Sequence, residues 1–176
     1  MIFLGLYAPV SAEVLKGGVS YTVGTARKIA FENISQTIDM AKYANGHIYD
    51  PNKKANINAL KRNKTDFTDR VITYYESKKT EFRAYSITYK KNPYVSYYYI
   101  LPKGMLGGID IKKIGAAHQR ITAKYSLMGS LISVILNVDK DNQFIFDANK
   151  KLISHCLGGN CYNEKGELDH TRRVIE

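Results

Sequence analysis

The spacing of apolar residues in the first half of the chain predicts helices. Over residues 25–44, apolar side chains recur every three or four positions and would share one stripe of a helix. Thr25 can cap the start of this helix, and Asn45-Gly46 can end it in a left-handed conformation. The pattern predicts further helices over residues 55–62, 66–77 and 110–125.

A period of two predicts strands elsewhere in the chain. Residues 82–89 and 94–101 alternate in polarity and are expected to pair as an antiparallel hairpin that turns near Pro93. Apolar, β-branched runs between turn residues predict a meander over residues 131–138, 144–147, 151–156 and 168–175. The predicted fold class is therefore α+β, with N-terminal helices followed by an antiparallel sheet made of this hairpin and the C-terminal meander.

A chain of 176 residues is expected to form one compact unit. Within it we predict an N-terminal helical segment over residues 1–63 and an α+β domain over residues 64–176. The opening run from Met1 to Gly18 faintly resembles a secretory signal, but it has no basic start and is interrupted by Gly5 and Pro9. We therefore expect a buried or partner-covered segment, which is too short to span a bilayer.

The positive net charge and the many aromatic residues indicate a polyanionic partner. The formal net charge is +10 and the sequence pI is about 9.5, so the protein should attract nucleic acid, anionic lipid or an acidic protein. The predicted hairpin is rich in tyrosine and lysine, a mixture that can stack bases and neutralise phosphates. We expect RNA as the partner. The predicted substrate-binding residues are Tyr97, Tyr99, Arg120 and Lys124.

Histidines supply the predicted catalytic groups. A metal-independent ribonuclease needs a general base, a general acid and cations beside the phosphate. On the C-terminal strand, alternation places His170 and Arg172 on one face. His155 on a neighbouring strand and His118 on the predicted helix 110–125 are candidate partners of His170. The function predicted from these residues is an endoribonuclease that uses histidine acid–base catalysis.

The two cysteines, Cys156 and Cys161, leave three interpretations open: a disulfide within one loop, two reduced buried thiols, or a zinc site for which His155 and His170 are nearby. Zinc sites normally have a second ligand pair at fixed spacing, which is missing here. We accordingly predict no metal and no other cofactor.

Two alternatives to a ribonuclease remain open. One is a hydrolase or deamidase that uses Cys156 as its nucleophile, with His118 or His170 as the base. The other is a non-enzymatic protein that binds nucleic acid or an acidic partner through the hairpin. Enzymes with a phosphate-binding loop, GxSxG or HExxH are not indicated, because none of these motifs occurs.

Two short segments echo each other: FDANKKLIS at residues 146–154 and YNEKGELDH at residues 162–170. Each runs from an aromatic residue through Asp or Asn to a turn and then a leucine. This pattern resembles the tyrosine–aspartate repeat of bacterial Rhs-type polymorphic toxins. The resemblance implies a small basic toxin domain that is secreted or delivered into the cytoplasm of a target cell, and an acidic immunity protein as its partner. It implies no catalytic residue, because the toxin domains of that family vary.

Overall fold

The computed structural model describes residues 14–16, 19–43, 69–76 and 83–171. Strands β1 (Val14–Lys16) and β2 (Val19–Tyr21) pair with each other and lead into helix α1 (Val23–Ala30) and a 3-10 helix (Met40–Tyr43). No helix in these ranges is long and apolar enough to span a membrane. Ten further strands are β3 (Arg70–Glu76), β4 (Arg83–Tyr89), β5 (Val95–Ile100), β6 (Met105–Ile114), β7 (Arg120–Ser126), β8 (Leu131–Asn137), β9 (Asn142–Asp147), β10 (Leu152–Leu157), β11 (Asn160–Tyr162) and β12 (Leu168–Thr171).

These ten strands form a single antiparallel sheet whose spatial order, from β3 to β12, is the order of the chain. Strict alternation explains several of them. Along β7, for example, Ile121, Ala123 and Tyr125 are buried, and the residues between them are not. Successive side chains of a strand point to opposite faces, so the extended chain places these three apolar groups in one buried row.

The predicted α+β fold class is wrong. Within the described ranges, one short α-helix accompanies the ten-stranded sheet. The helix predicted over residues 25–44 ends at Ala30, and the chain soon turns at Asn33, whose φ is 56°. A left-handed residue of this kind cannot continue an α-helix.

Two other predicted helices are strands instead. Residues 66–77 include β3, and residues 110–125 hold the end of β6 and most of β7. Both regions contain β-branched residues, which favour extended backbone. The helix predicted over residues 55–62 lies outside the described residues. Where alternation predicted strands, strands are present, including β4, β5 and β8–β10.

The described residues divide into two compact units. Unit 1 takes its residues from the parts of the chain up to Ile34, from Ile114–Ile121 and from Ser133 onward. Unit 2 takes them from Ser35–Lys113 and Thr122–Ile132. The prediction of a boundary near residue 63 stays a prediction.

The core of unit 1 is built on aromatic side chains of β9. Phe144 and Phe146 are fully buried, and their parallel rings lie 6.3 Å apart. The His155 imidazole stacks on Phe144 at 3.9 Å. Also in unit 1, the amide of Gln119 donates a 2.6 Å hydrogen bond to the hydroxyl of Tyr21, so both buried polar groups are satisfied.

The core of unit 2 lies on one face of β4, β5 and β6. Tyr97 pairs with Ile87 on one side and Ile109 on the other, and all three are buried. Residues 35–43 are held against the sheet by hydrogen bonds from tyrosine side chains of the strands. The Tyr97 hydroxyl donates to the carbonyl of Tyr43 at 2.7 Å, and the Tyr125 hydroxyl donates to the carbonyl of Ser35 at 2.9 Å.

Candidate nucleic-acid interface

A groove of about 740 Å³ lies in unit 1, lined by α1, by the residues that follow α1 and by Lys150. Arg27, Lys28 and Lys150 line it with positive charge, and Glu32 is the acidic member of its lining. The Phe31 ring also lines the groove. We refer to this feature as the basic groove.

Helix α1 forms at this place because its start and its buried face are well specified. The Thr22 hydroxyl accepts a 3.1 Å hydrogen bond from the backbone nitrogen of Thr25, which caps the helix. Ala26 and Ala30 are fully buried one turn apart, and their small side chains allow the helix close to its neighbours. Lys28 lies outside the face that Ala26 and Ala30 form, and it is exposed.

Arg27 is held by two contacts in unit 1. Its Nε donates a 2.9 Å hydrogen bond to the carbonyl oxygen of Lys150. Its guanidinium carbon lies 5.8 Å from the centre of the Phe146 ring, a fully buried ring with a negative face. Four further N–H groups of the guanidinium are not used by the Nε bond, and these are the groups that recognise phosphate.

Lys150 owes its position to the turn between β9 and β10. The Asp147 carboxylate accepts hydrogen bonds from the backbone nitrogens of Asn149 at 2.8 Å and Lys151 at 2.9 Å. This turn holds Lys150 at a φ of 68°. The Lys150 ammonium lies 5.6 Å from the centre of the Phe31 ring.

The Phe31 ring packs edge to face against Phe146, with centroids 5.9 Å apart and planes at 68°. The ring is half-buried, so part of it remains available to a ligand. Cations beside an available aromatic ring are the groups that bind the phosphates and bases of single-stranded nucleic acid.

A second polar cluster lies in unit 2, on the sheet face opposite to Tyr97. The Tyr98 hydroxyl donates to Oδ2 of Asp110 at 2.8 Å, and the Lys124 ammonium lies 3.2 Å from the same oxygen. The ammonium is also 4.6 Å from the centre of the Tyr98 ring. Next to Tyr98 is Tyr75, with ring centroids 5.6 Å apart.

Burial governs the acid–base behaviour of this cluster. Asp110 is 4% exposed, and its removal from water raises the pKa of the carboxyl group, an effect opposed by the charge of Lys124 and by the Tyr98 hydrogen bond. Burial, together with the negative charge of Asp110, raises the pKa of the Tyr98 phenol. Tyr98 therefore keeps the proton that it donates to Asp110.

A small cavity lies beside this cluster, next to a β-bulge. The pairing between β5 and β6 shifts after Tyr98, so that Gly107 has no partner of its own. A Cβ atom on Gly108 would lie 2.4 Å from the carbonyl oxygen of Tyr125, so only glycine allows this approach. The cavity has a volume of about 140 Å³ and is lined by Tyr98, Asp110 and Lys124 among others.

The predicted base-stacking tyrosines lie in the core. Tyr97 is 4% exposed and Tyr99 is 2% exposed, so their rings do not face solvent. Tyr98, between them, is on the other face and is only partly buried. Lys124 is engaged by Asp110, and Arg120 is exposed at the start of β7.

The structure does not bring His155 and His170 together. His155 is 1% exposed, stacks on Phe144 and shares a 2.9 Å hydrogen bond with Oδ1 of Asn142. On the other face, Cys156 lies opposite Cys161, which lies opposite His170. The His170 imidazole is partly exposed, and its Nδ1 is 2.7 Å from Oδ2 of Asp169.

The remaining predicted residues lie elsewhere. His118 is exposed in the turn between β6 and β7, with a φ of 60°. Arg172 lies outside the described residues. Cys156 and Cys161 form a disulfide between β10 and β11, which leaves Cys156 without the thiol that a cysteine hydrolase would need.

Sequence reasoning missed the basic groove and the Asp110 cluster. The groove combines residues more than 100 positions apart, so no local spacing indicates it. A signal did exist for Tyr98, because alternation already separates it from Tyr97 and Tyr99. The role of Asp110 could not be predicted, because the pattern over residues 110–125 predicts a helix that begins at this residue.

Comparison with known proteins gives no further guide to function. No family model matches the sequence, and no significant similarity was found to curated proteins or to solved structures.

Proposed function

We propose that this protein binds single-stranded RNA through the basic groove of unit 1, without catalysing a reaction there. The observation that carries the proposal is the placement of Arg27, Lys28 and Lys150 around one groove that also exposes part of the Phe31 ring. The cations match phosphate, and the ring offers a face on which a base can stack.

The net charge of +10 supports this proposal, because it draws any polyanion toward the protein. The groove adds selectivity for a strand with accessible bases, since an RNA duplex hides its bases within the helix. The bond from Arg27 to the backbone carbonyl of Lys150 orders the Arg27 side chain before RNA binds, which lowers the ordering cost of binding.

The direct test is binding of a fluorescent single-stranded RNA to the full chain over a series of salt concentrations. Lys28→Gln is the most informative variant, because Lys28 is exposed. It should lower affinity and reduce the slope of log K against log salt by about 0.7, the value for one lost contact to a single strand.

The matched control is Lys140→Gln, which removes the same charge from an exposed turn of unit 1 outside the groove lining. It should leave the slope nearly unchanged. Equal effects of the two substitutions would show that RNA responds to net charge alone, and the groove would lose its role.

An endoribonuclease is the second candidate function, and one observation favours it. The partly exposed imidazole of His170 lies beside the Asp169 carboxylate, an arrangement that orients a histidine for proton transfer. If His170 is the base, then His170→Ala should abolish RNA cleavage in the presence of a chelator, while RNA binding persists. Intact RNA after incubation with the wild-type protein across about pH 5–8 would rule the enzyme out.

The resemblance to Rhs-type toxins adds delivery into a target cell and an acidic immunity protein to this second candidate. An acidic protein of that kind should compete with RNA for the basic groove. Competition that Lys28→Gln weakens, and Lys140→Gln does not, would support it.

A further inference from the structure

We propose that β10, β11 and β12 form a latent zinc site, which assembles when the Cys156–Cys161 disulfide is reduced. The three ligands are Cys156, Cys161 and His170. Register places them in one row across the three strands, because Cys156 pairs with Cys161 and Cys161 pairs with His170.

The ligand atoms are already close. The two sulfurs and an imidazole nitrogen all lie within 4.8 Å of one another. In a tetrahedral zinc site, with bonds of about 2.3 Å to sulfur and about 2.0 Å to nitrogen, neighbouring ligand atoms are about 3.5–4 Å apart. Reduction frees the two sulfurs from each other, and we expect side-chain rotation then to bring the three ligand atoms to this spacing.

Asp169 supports the assignment of His170 as a ligand. Its Oδ2 lies 2.7 Å from Nδ1 of His170 and can accept a hydrogen bond from the N–H group at that nitrogen. This bond leaves Nε2 as the nitrogen with a free lone pair, and carboxylates orient zinc-bound histidines in this way.

The surroundings suit an open metal site. Cys156 and Cys161 are buried, whereas the His170 side chain is 40% exposed, so one side of the cluster faces water. Three protein ligands and one water are the coordination of zinc sites that keep an open position. The hairpin between the cysteines turns at Gly158, whose backbone nitrogen donates a 2.7 Å hydrogen bond to the carbonyl oxygen of Asp141, so the turn that joins the two ligands is held in place.

The chemistry balances with a dithiol as the reductant. The dithiol transfers two electrons and two protons, the Cys156–Cys161 bond breaks to give two thiols, and the reductant becomes a disulfide. Zinc binding then releases two protons as the thiols become thiolates. The resulting Cys2His site combines Zn²⁺ with two negative ligands and one neutral ligand.

Cobalt is the probe, because tetrahedral Co²⁺ with thiolate ligands absorbs in the near ultraviolet and the visible. The full chain is reduced with a dithiol, freed of reductant without oxygen, and titrated with Co²⁺. We expect one Co²⁺ per chain, with thiolate charge-transfer absorption that Zn²⁺ abolishes by displacement. The oxidised protein should show no such absorption.

Substitutions identify the ligands. His170→Ala should weaken Co²⁺ binding about 100-fold or more, and Asp169→Asn should weaken it about 10-fold through loss of orientation. The control His118→Ala changes an exposed histidine in another turn and should bind Co²⁺ like the wild type. Binding that His170→Ala does not alter would overturn the assignment.

If reduction unfolds the protein, circular dichroism of the reduced chain can still test the proposal. Recovery of the folded spectrum on addition of Zn²⁺ would support the site, because metal binding is then coupled to folding. A reduced chain that neither binds Co²⁺ nor refolds with Zn²⁺ would overturn the proposal. RNA binding at the basic groove plays no part in either result.

Discussion

The Nε atom of Arg27 donates a hydrogen bond of 2.9 Å to the carbonyl oxygen of Lys150, a residue 123 positions away. This bond ties the last turn of α1 to the turn between β9 and β10. It fixes the Arg27 side chain relative to the backbone of Lys150, so the arrangement of these two residues in the basic groove depends on the fold of unit 1 and not on a local motif.

Because Lys150 has a left-handed backbone, one substitution at this residue should change RNA affinity and protein stability in opposite directions. Glycine adopts a φ of 68° without the steric cost that a Cβ atom brings, so Lys150→Gly should stabilise the protein by about 0.5–1 kcal/mol. The same substitution removes a groove cation and should weaken RNA binding. Urea unfolding and RNA titration measure the two effects.

Asn149→Gly is the comparison for this prediction. Asn149 lies in the same turn without the positive φ of Lys150, so glycine there should bring no stabilisation. A loss of stability in Lys150→Gly that matches the loss in Asn149→Gly would contradict the argument from backbone conformation.

Asp110 should make stability depend on pH in a defined direction. Because burial raises the pKa of this carboxyl group above its ordinary value of 3.8, the folded protein binds more protons than the unfolded chain just above pH 3.8. The free energy of unfolding contributed by this group should therefore fall as pH rises through that window. Asp110→Asn cannot ionise, so its stability relative to the wild type should increase over the same window.

Urea unfolding of both proteins at a series of pH values above 3.8 tests this prediction. Tyr98→Phe serves as the second variant, since it removes a hydrogen bond that favours the charged carboxylate. It should extend the window to higher pH. A stability difference between wild type and Asp110→Asn that does not change with pH would contradict the buried position of the carboxyl group.

His155 should matter for stability through packing. Its ring is fully buried against Phe144, so His155→Ala should leave a cavity and reduce the free energy of unfolding by about 3 kcal/mol. His118→Ala, at an exposed position, should change it by less than about 0.5 kcal/mol. Thermal or urea unfolding checks both values, and a small effect of His155→Ala would place this ring outside the core.

The disulfide should contribute modestly to stability. Cys156 and Cys161 are separated by 5 positions, and cross-linking so short a loop removes little entropy from the unfolded chain. Replacing both cysteines with alanine should lower the free energy of unfolding by roughly 2 kcal/mol. A loss well above this value, measured by urea unfolding, would indicate that the sulfurs also contribute through packing.

The strands that alternate could be predicted from the sequence, because the pattern in β4, β5 and β9 fits only a period of two. The regions of β3, β6 and β7 could not, since their apolar residues satisfy both periods over a few turns. There the β-branched residues and the neighbouring strands decide the outcome. Ile121, for example, has a helical partner in Ala117 and a strand partner in Ala123.

The candidate site could be predicted from the sequence to a smaller extent than the fold. Counting charges indicates a polyanion, but only the fold places Lys150 beside Phe31. Tyr97 and Tyr99 have the residue type that stacks on bases, yet their strand turns them inward. The sequence does show which tyrosines share a face. It does not show which face is covered, because that depends on residues 35–43 packing there.

In the sheet from β3 to β12, neighbouring strands are also consecutive in the chain. Such a topology needs few closures of long loops, and proteins dominated by local contacts fold faster than Greek-key sandwiches of similar size. The sheet can therefore grow outward from any one of its hairpins. Newly made chain can add strand by strand as it emerges, with each new strand covering the open edge left by the last.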